Sequence, residues 1–167
     1  MKYSKYYLYS HDIDWFCIVN GVYIHVASAG GDIPSQINNV DSLREIQNQI
    51  EKLPDIYTND EIYYNETAIT NVMGLTGVKE RAQYIESFSA MSRKGFVSFD
   101  RTNIGDPQDN RYHMVCRPKD LNRKPQGLDL YTYNRNITFD DWVKQVTDDI
   151  MQFYQIEDKK NENLPIR

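Results

Sequence analysis

Cysteine is scarce in this chain: there are two in 167 residues, Cys17 and Cys116, about a hundred positions apart. There is no CxxC pair, and neither thiol has a histidine at zinc-ligand spacing, so the common structural zinc frameworks are excluded. In a reducing compartment such cysteines read as small buried hydrophobes, and a Cys17–Cys116 disulfide would require their strands to meet. No apolar run approaches the roughly 18 residues that a membrane span needs. The opening MKYSKYYLYSHD has two lysines and no apolar segment behind them, so no secretory signal is read and a soluble, cytoplasmic protein is expected. Lysine and arginine number 19 against 24 acids, and they are scattered without a basic block, so general nucleic-acid binding is not expected. Catalytic signatures are missing too. Gly30-Gly31 is followed by no P-loop lysine, no HExxH occurs, and no GxSxG supports serine catalysis. A calcium loop begun at Asp100 fails at its twelfth position, where Arg111 stands in place of a bidentate Glu.

The composition that remains, 40% hydrophobic and 26% charged, fits an ordered core. The length implies one domain, taken as residues 1–156, followed by a polar tail over 157–167 that should fray. The clearest local signal is Asn20-Gly21 between two apolar runs. A two-residue type I′ turn needs positive φ at both central positions, which Asn and Gly tolerate. Counting outward from it pairs Val19 with Val22 and Trp15 with Val26. Side chains alternate, so Trp15, Cys17, Val19, Val22, Ile24 and Val26 share a wholly apolar face that must be core. Asp14, Phe16, Ile18, Tyr23 and His25 share the other face, which needs a cover: a helix, a second subunit or a protein partner.

Elsewhere, the weak alternation of Tyr3 to Tyr9 predicts a strand. Ser42 to Glu45 fits a capping box, with Leu43, Ile46, Ile50 and Leu53 as the inner stripe of a helix stopped by Pro54. A short strand is expected around Glu61 to Tyr64, then a helical turn up to Met73. Thr76 should cap a second helix whose stripe is Val78, Ala82, Ile85, Phe88 and Met91 or Ser92, and Gly95 should end it. Phe96 to Thr102 and Arg111 to Arg117 form a second hairpin, and Leu128 to Tyr133 a further strand. A last helix is expected from Thr138, burying Trp142, Val143, Val146, Ile150 and Phe153. The order predicts an α+β fold, with an antiparallel sheet built from hairpins and two or three helices packed on it.

Two constellations could carry chemistry. Asp14 lies diagonal to His25, and a carboxylate beside an imidazole orients it and raises its basicity, which makes the two candidates for acid–base catalysis. With Asp12 they are also candidate metal ligands. On the second hairpin, Arg111, His113 and Arg117 should share an outer face, with Arg101 nearby, as an anion site for a phosphorylated or carboxylated ligand. Neither set is a complete catalytic constellation, and the sequence leaves the identity of any cofactor unknown. The leading expectation is therefore a tyrosine-rich binding or interaction module, engaging a protein partner or a second copy of itself. The alternative is an enzyme or binder for a phosphorylated or nucleotide-like small molecule.

Overall fold

Asn20 and Gly21 take φ of 49° and 80°, and the turn they make sets the register of everything beside it. In the computed structural model, which describes residues 1–109, 111–133 and 151–152, β1 (Asp14–Val19) and β2 (Val22–Ala27) pair antiparallel from Val19↔Val22 to Asp14↔Ala27. All six residues of the apolar face are buried. They pack in one cluster with Val97, Phe99, Tyr112 and Met114 from the second hairpin. That hairpin comprises β4 (Val97–Arg101) and β5 (Arg111–Pro118). β3 (Ile62–Tyr64) lies outside β5.

The strand order is β3-β5-β4-β2-β1-β6, where β6 is Thr132–Tyr133, and β7 (Met151–Gln152) pairs with β5 off this path. The expected antiparallel sheet is therefore mixed. β2 runs parallel to β4, and β1 parallel to β6. The cause is the long connection between β2 and β4, which carries α2 (Val40–Glu51), β3 and α3 (Val78–Arg93). It brings the chain back to the end of the sheet where β2 begins, so β4 enters alongside it. Helical segments also exceed the two or three expected among the described residues. Besides α2 and α3 there are α1 (Lys5–Ser10), a single 3-10 turn at Asn59–Glu61 and a π-helical segment at Ala68–Val72.

Tyr3 to Tyr9 is mostly helix, not strand. Ser4 caps α1 by accepting from the Tyr7 amide, and Tyr3, Tyr7 and His11, four residues apart, stack on one another. Asn39, not Ser42, caps α2, its Oδ1 accepting from the Ser42 amide. The two residue types serve equally well there. Gly77, not Thr76, caps α3, whose first turn is unburied: Val78 is 88% exposed. Only the later stripe positions reach the core, with Phe88 and Ser92 buried. Of the expected last helix, Met151–Gln152 is instead β7, while 138–150 and 153 lie outside the described residues, as does the 157–167 tail.

The second face of the first hairpin is covered by the chain itself. Phe16 packs with Ile50, Phe96 and Leu130, and with the partly buried Ile18, Tyr23, Ile46 and Met91. On β5 a bulge changes the expected faces. Ser98 pairs with Cys116 and Phe99 with Met114, so Val115 is the extra residue. Cys116 therefore turns away from Met114 toward α3, where its Sγ lies 3.2 Å from Ser92 Oγ. Cys17 belongs to the opposite cluster, and both cysteines are free.

Arg101, at the end of β4, is wholly buried and ties two loops and β5 together. Its guanidinium donates to the carbonyls of Ser28 (2.6 Å), Asp32 (3.0 Å) and Asp109, and to the Tyr112 hydroxyl (2.9 Å). A Cβ on Gly31 would stand 2.0 Å from that guanidinium, which is why glycine is required there. Gly31→Ala should therefore displace a buried cation from its acceptors, at a cost on the order of 3 kcal/mol. Urea unfolding checks this against Gly105→Ala, whose added methyl meets nothing closer than 3.7 Å and should leave the midpoint nearly unchanged.

Candidate functional site

The parallel pairing of β2 with β4 lays polar residues from both hairpins in one row. Asp14 pairs with Ala27, Ala27 with Asp100, and Asp100 with His113. Four neighbouring strands span about 14 Å. The next row holds Phe16, His25, Ser98 and Cys116 on the same face, under α3. The hairpins thus contribute to one polar layer, which divides into two hydrogen-bonded circuits.

In the first, His25 Nε2 lies 2.8 Å from Asp14 Oδ1 and its Nδ1 lies 3.1 Å from Ser98 Oγ. The three residue types are those of a Ser-His-Asp triad, but the ring nitrogens are exchanged, since a triad's serine meets Nε2 and its aspartate Nδ1, and the burial is reversed. A working triad exposes the serine to substrate and buries the carboxylate behind the histidine. Here Ser98 is fully buried and also reaches the Phe88 carbonyl at 3.2 Å, whereas the Asp14 side chain is 52% exposed. Ser98 therefore has no route to a substrate carbonyl.

The second circuit is Asp100, Tyr84, His113 and Thr102. Tyr84 Oη donates to Asp100 Oδ2 at 2.7 Å and lies 2.9 Å from His113 Nε2. Its only proton is spent on Asp100, so His113 carries the Nε2 hydrogen and donates it to Tyr84. His113 Nδ1 then accepts from Thr102 Oγ1 at 3.1 Å. Burial pushes the Asp100 carboxyl up to about 6 against the pull of its Tyr84 and backbone hydrogen bonds. Burial also lowers the His113 imidazole to about 4 and raises the Tyr84 phenol.

The expected anion site does not assemble. Arg101 is spent on the loop carbonyls and His113 on Tyr84, and Arg111 is at the surface in a salt bridge with Asp109. Arg117 donates to the Pro118 carbonyl and lies over the Tyr63 ring. The bulge at Val115 and the burial of His113 dissolve the cationic row. Asp12 accepts from the Ala29 amide, and among the described residues no group of three or more His, Cys, Asp or Glu is arranged to hold a metal, so Asp12, Asp14 and His25 do not gather as ligands. Ser98 and Tyr84 went unremarked in the sequence. Each carried a faint signal: a serine between two apolar strand residues, and a tyrosine one turn before Phe88.

Among the described residues two open clefts lie outside these circuits, the first sharing Phe16 with the row that holds His25. One, of about 480 Å³, sits between α2 and residues 129–131, with Phe16, Leu43, Ile46 and Leu130 among its walls and Gln36, Ser42 and Asp129 among its polar groups. The other, of about 610 Å³, is lined by Arg93 and Arg123. Both arginines are already paired, with Asp55 and Glu61. No family model, curated protein or solved structure matches the chain.

The opposed shifts of Asp100 and His113 have a measurable consequence. Asp100, raised from 3.8, adds stability below about pH 4 that is lost as pH rises through 6. His113, lowered from 6.5, adds stability above that value that is lost as pH falls through 4. Between them, folded and unfolded pairs each hold one proton, so their contributions cancel. Relative to the parent, Asp100→Asn should lose stability on acidification from pH 6.5 to 4. His113→Gln should lose it on raising pH from 4 to 6, each by up to about 3 kcal/mol. Urea midpoints across that range measure both slopes.

Proposed function

We propose that the chain is a binding module whose ligand enters the cleft between α2 and residues 129–131. The observation that carries this reading is the cleft itself. Its volume lies within the range of small-molecule sites, and an apolar floor meets a few polar groups at the rim. By contrast, apart from the half-exposed Asp14, the groups best suited to chemistry are buried and committed to one another. Among the described residues Asp129 is the one charged residue in the lining, and the chain carries a formal net charge of −5. Both favour an amphipathic ligand with a neutral or cationic head over an anionic one. The intramolecular cover on Phe16 removes the main reason for invoking a second subunit on that face.

Titration of labelled protein with apolar amines and the matching carboxylates, followed by amide NMR, tests this. Amines should move the signals of Phe16, Ile46 and Tyr131, and Asp129→Asn should weaken them about fivefold, the worth of one exposed ion pair. Carboxylates binding as well as amines, or responses confined to another surface, would refute the assignment.

An enzymatic reading is favoured by one observation, the half-exposed Asp14 holding the buried His25 at 2.8 Å. It supports acid–base chemistry on a nucleotide-like or phosphorylated ligand. A thermal-shift screen with nucleotides and divalent ions tests it, since a ligand that binds only the folded state raises the melting temperature. A hit lost in Asp14→Asn would support the enzyme; a silent screen would sink it.

A further inference from the structure

His25 is buried, yet its two ring nitrogens meet partners of different kinds. Nε2 faces the Asp14 carboxylate, which reaches solvent. Nδ1 faces Ser98 Oγ at 3.1 Å, and that oxygen is also 3.2 Å from the Phe88 carbonyl of α3. A hydroxyl donates one proton and can accept at the same time. With His25 neutral, Nε2–H donates to Asp14 and Ser98 gives its proton to Nδ1. With His25 charged, Nδ1–H donates to Ser98, and Ser98 turns its own proton to the Phe88 carbonyl.

We infer that His25 is a proton-uptake site whose partners are satisfied in both charge states, with Asp14 as its port to solvent and Ser98 as a two-way hydroxyl that passes the charge state to helix α3. One proton enters from water past the exposed edge of Asp14 and ends on the ring, and no bond between heavy atoms changes. A buried histidine ordinarily resists charging because the cation loses its hydration. Here each N–H of the charged ring has an acceptor. The rings of Phe16 and Phe88, with centroids 5.2 and 5.9 Å away, offer further contacts to the cation. The charged and titratable groups around it are Asp14 from β1 and Asp100 from β4; Asp100 is in turn bonded to Tyr84 of α3 and feels Asp12.

The test is NMR of the histidine ring nitrogens and the Phe88 carbonyl carbon across pH 4 to 8.5, on the full chain and on Ser98→Ala and Asp14→Asn. In the parent, the His25 ring should take up a proton reversibly while the sheet amides keep their folded dispersion, and the Phe88 carbonyl should shift with it. Ser98→Ala removes the acceptor for Nδ1–H, so half-charging should need roughly tenfold more acid, and the carbonyl should stop responding. Asp14→Asn, a change at an exposed side chain, should weaken charging in the same direction and keeps the test alive if Ser98→Ala does not fold. A ring that charges only as the sheet unfolds would overturn the inference. So would variants that titrate as the parent does, or a Phe88 carbonyl indifferent to pH.

Discussion

The seam between β2 and β4 is the constraint on which the other features rest. It joins Ile24 to Val97, His25 to Ser98, Val26 to Phe99 and Ala27 to Asp100. Because side chains alternate, this one register places Ile24, Val26, Val97 and Phe99 in one core cluster and turns His25, Ser98 and Asp100 to the other face. A slip of β4 by one residue would drive Ser98 and Asp100 into the aliphatic cluster. The seam also puts the start of the 28–32 loop beside Arg101, whose guanidinium binds two of that loop's carbonyls. Loop and sheet are thus held by the same alignment.

Polar groups inside a packed layer need partners, since each orphan costs about 1–3 kcal/mol. The two circuits meet that need in different ways. Around Asp100 the hydrogen bonds run in one direction through Tyr84, and the proton inventory of the pair matches that of its free side chains between about pH 4 and 6. Around His25 the hydroxyl of Ser98 can face either way. Both circuits depend on α3, through Tyr84 in one and the Phe88 carbonyl in the other. Sliding that helix along the sheet would break both, so they fix its position more closely than the Phe88 ring alone does.

What the sequence disclosed followed the range of the interaction. The Asn20-Gly21 turn and the six-pair register are decided by adjacent residues, and so were readable, as was the Asp14–His25 juxtaposition that follows from them. Caps were displaced by one to three residues because Asn39 and Gly77 compete with Ser42 and Thr76 on nearly equal terms. The spacing of Tyr3 to Tyr9 satisfies both periods, and the Ser4 cap with the Tyr3–Tyr7–His11 stack decides it for helix. The β2–β4 seam joins segments about seventy residues apart and leaves no local mark. Ser98 could not be matched to His25 without it, and nothing in Arg111 to Arg117 announces the bulge that parts Cys116 from Met114.

Phe16 belongs to both halves of the functional picture. Its side chain lines the cleft beside α2, and its ring centroid is 5.2 Å from that of His25. An aromatic ring is polarisable, and it packs against an imidazole and an imidazolium with different energies. A ligand resting on Phe16 therefore meets a surface whose electrostatics depend on the proton beneath it. Thermodynamic linkage makes any such dependence mutual: whatever binding energy the ligand gains or loses when His25 charges, the proton on His25 gains or loses when the ligand binds. The sign follows from Coulomb's law. A cationic head over the cleft and a cation on His25 repel, so occupancy by an amine and charging of the ring oppose each other, while a neutral ligand is nearly indifferent to the ring's charge.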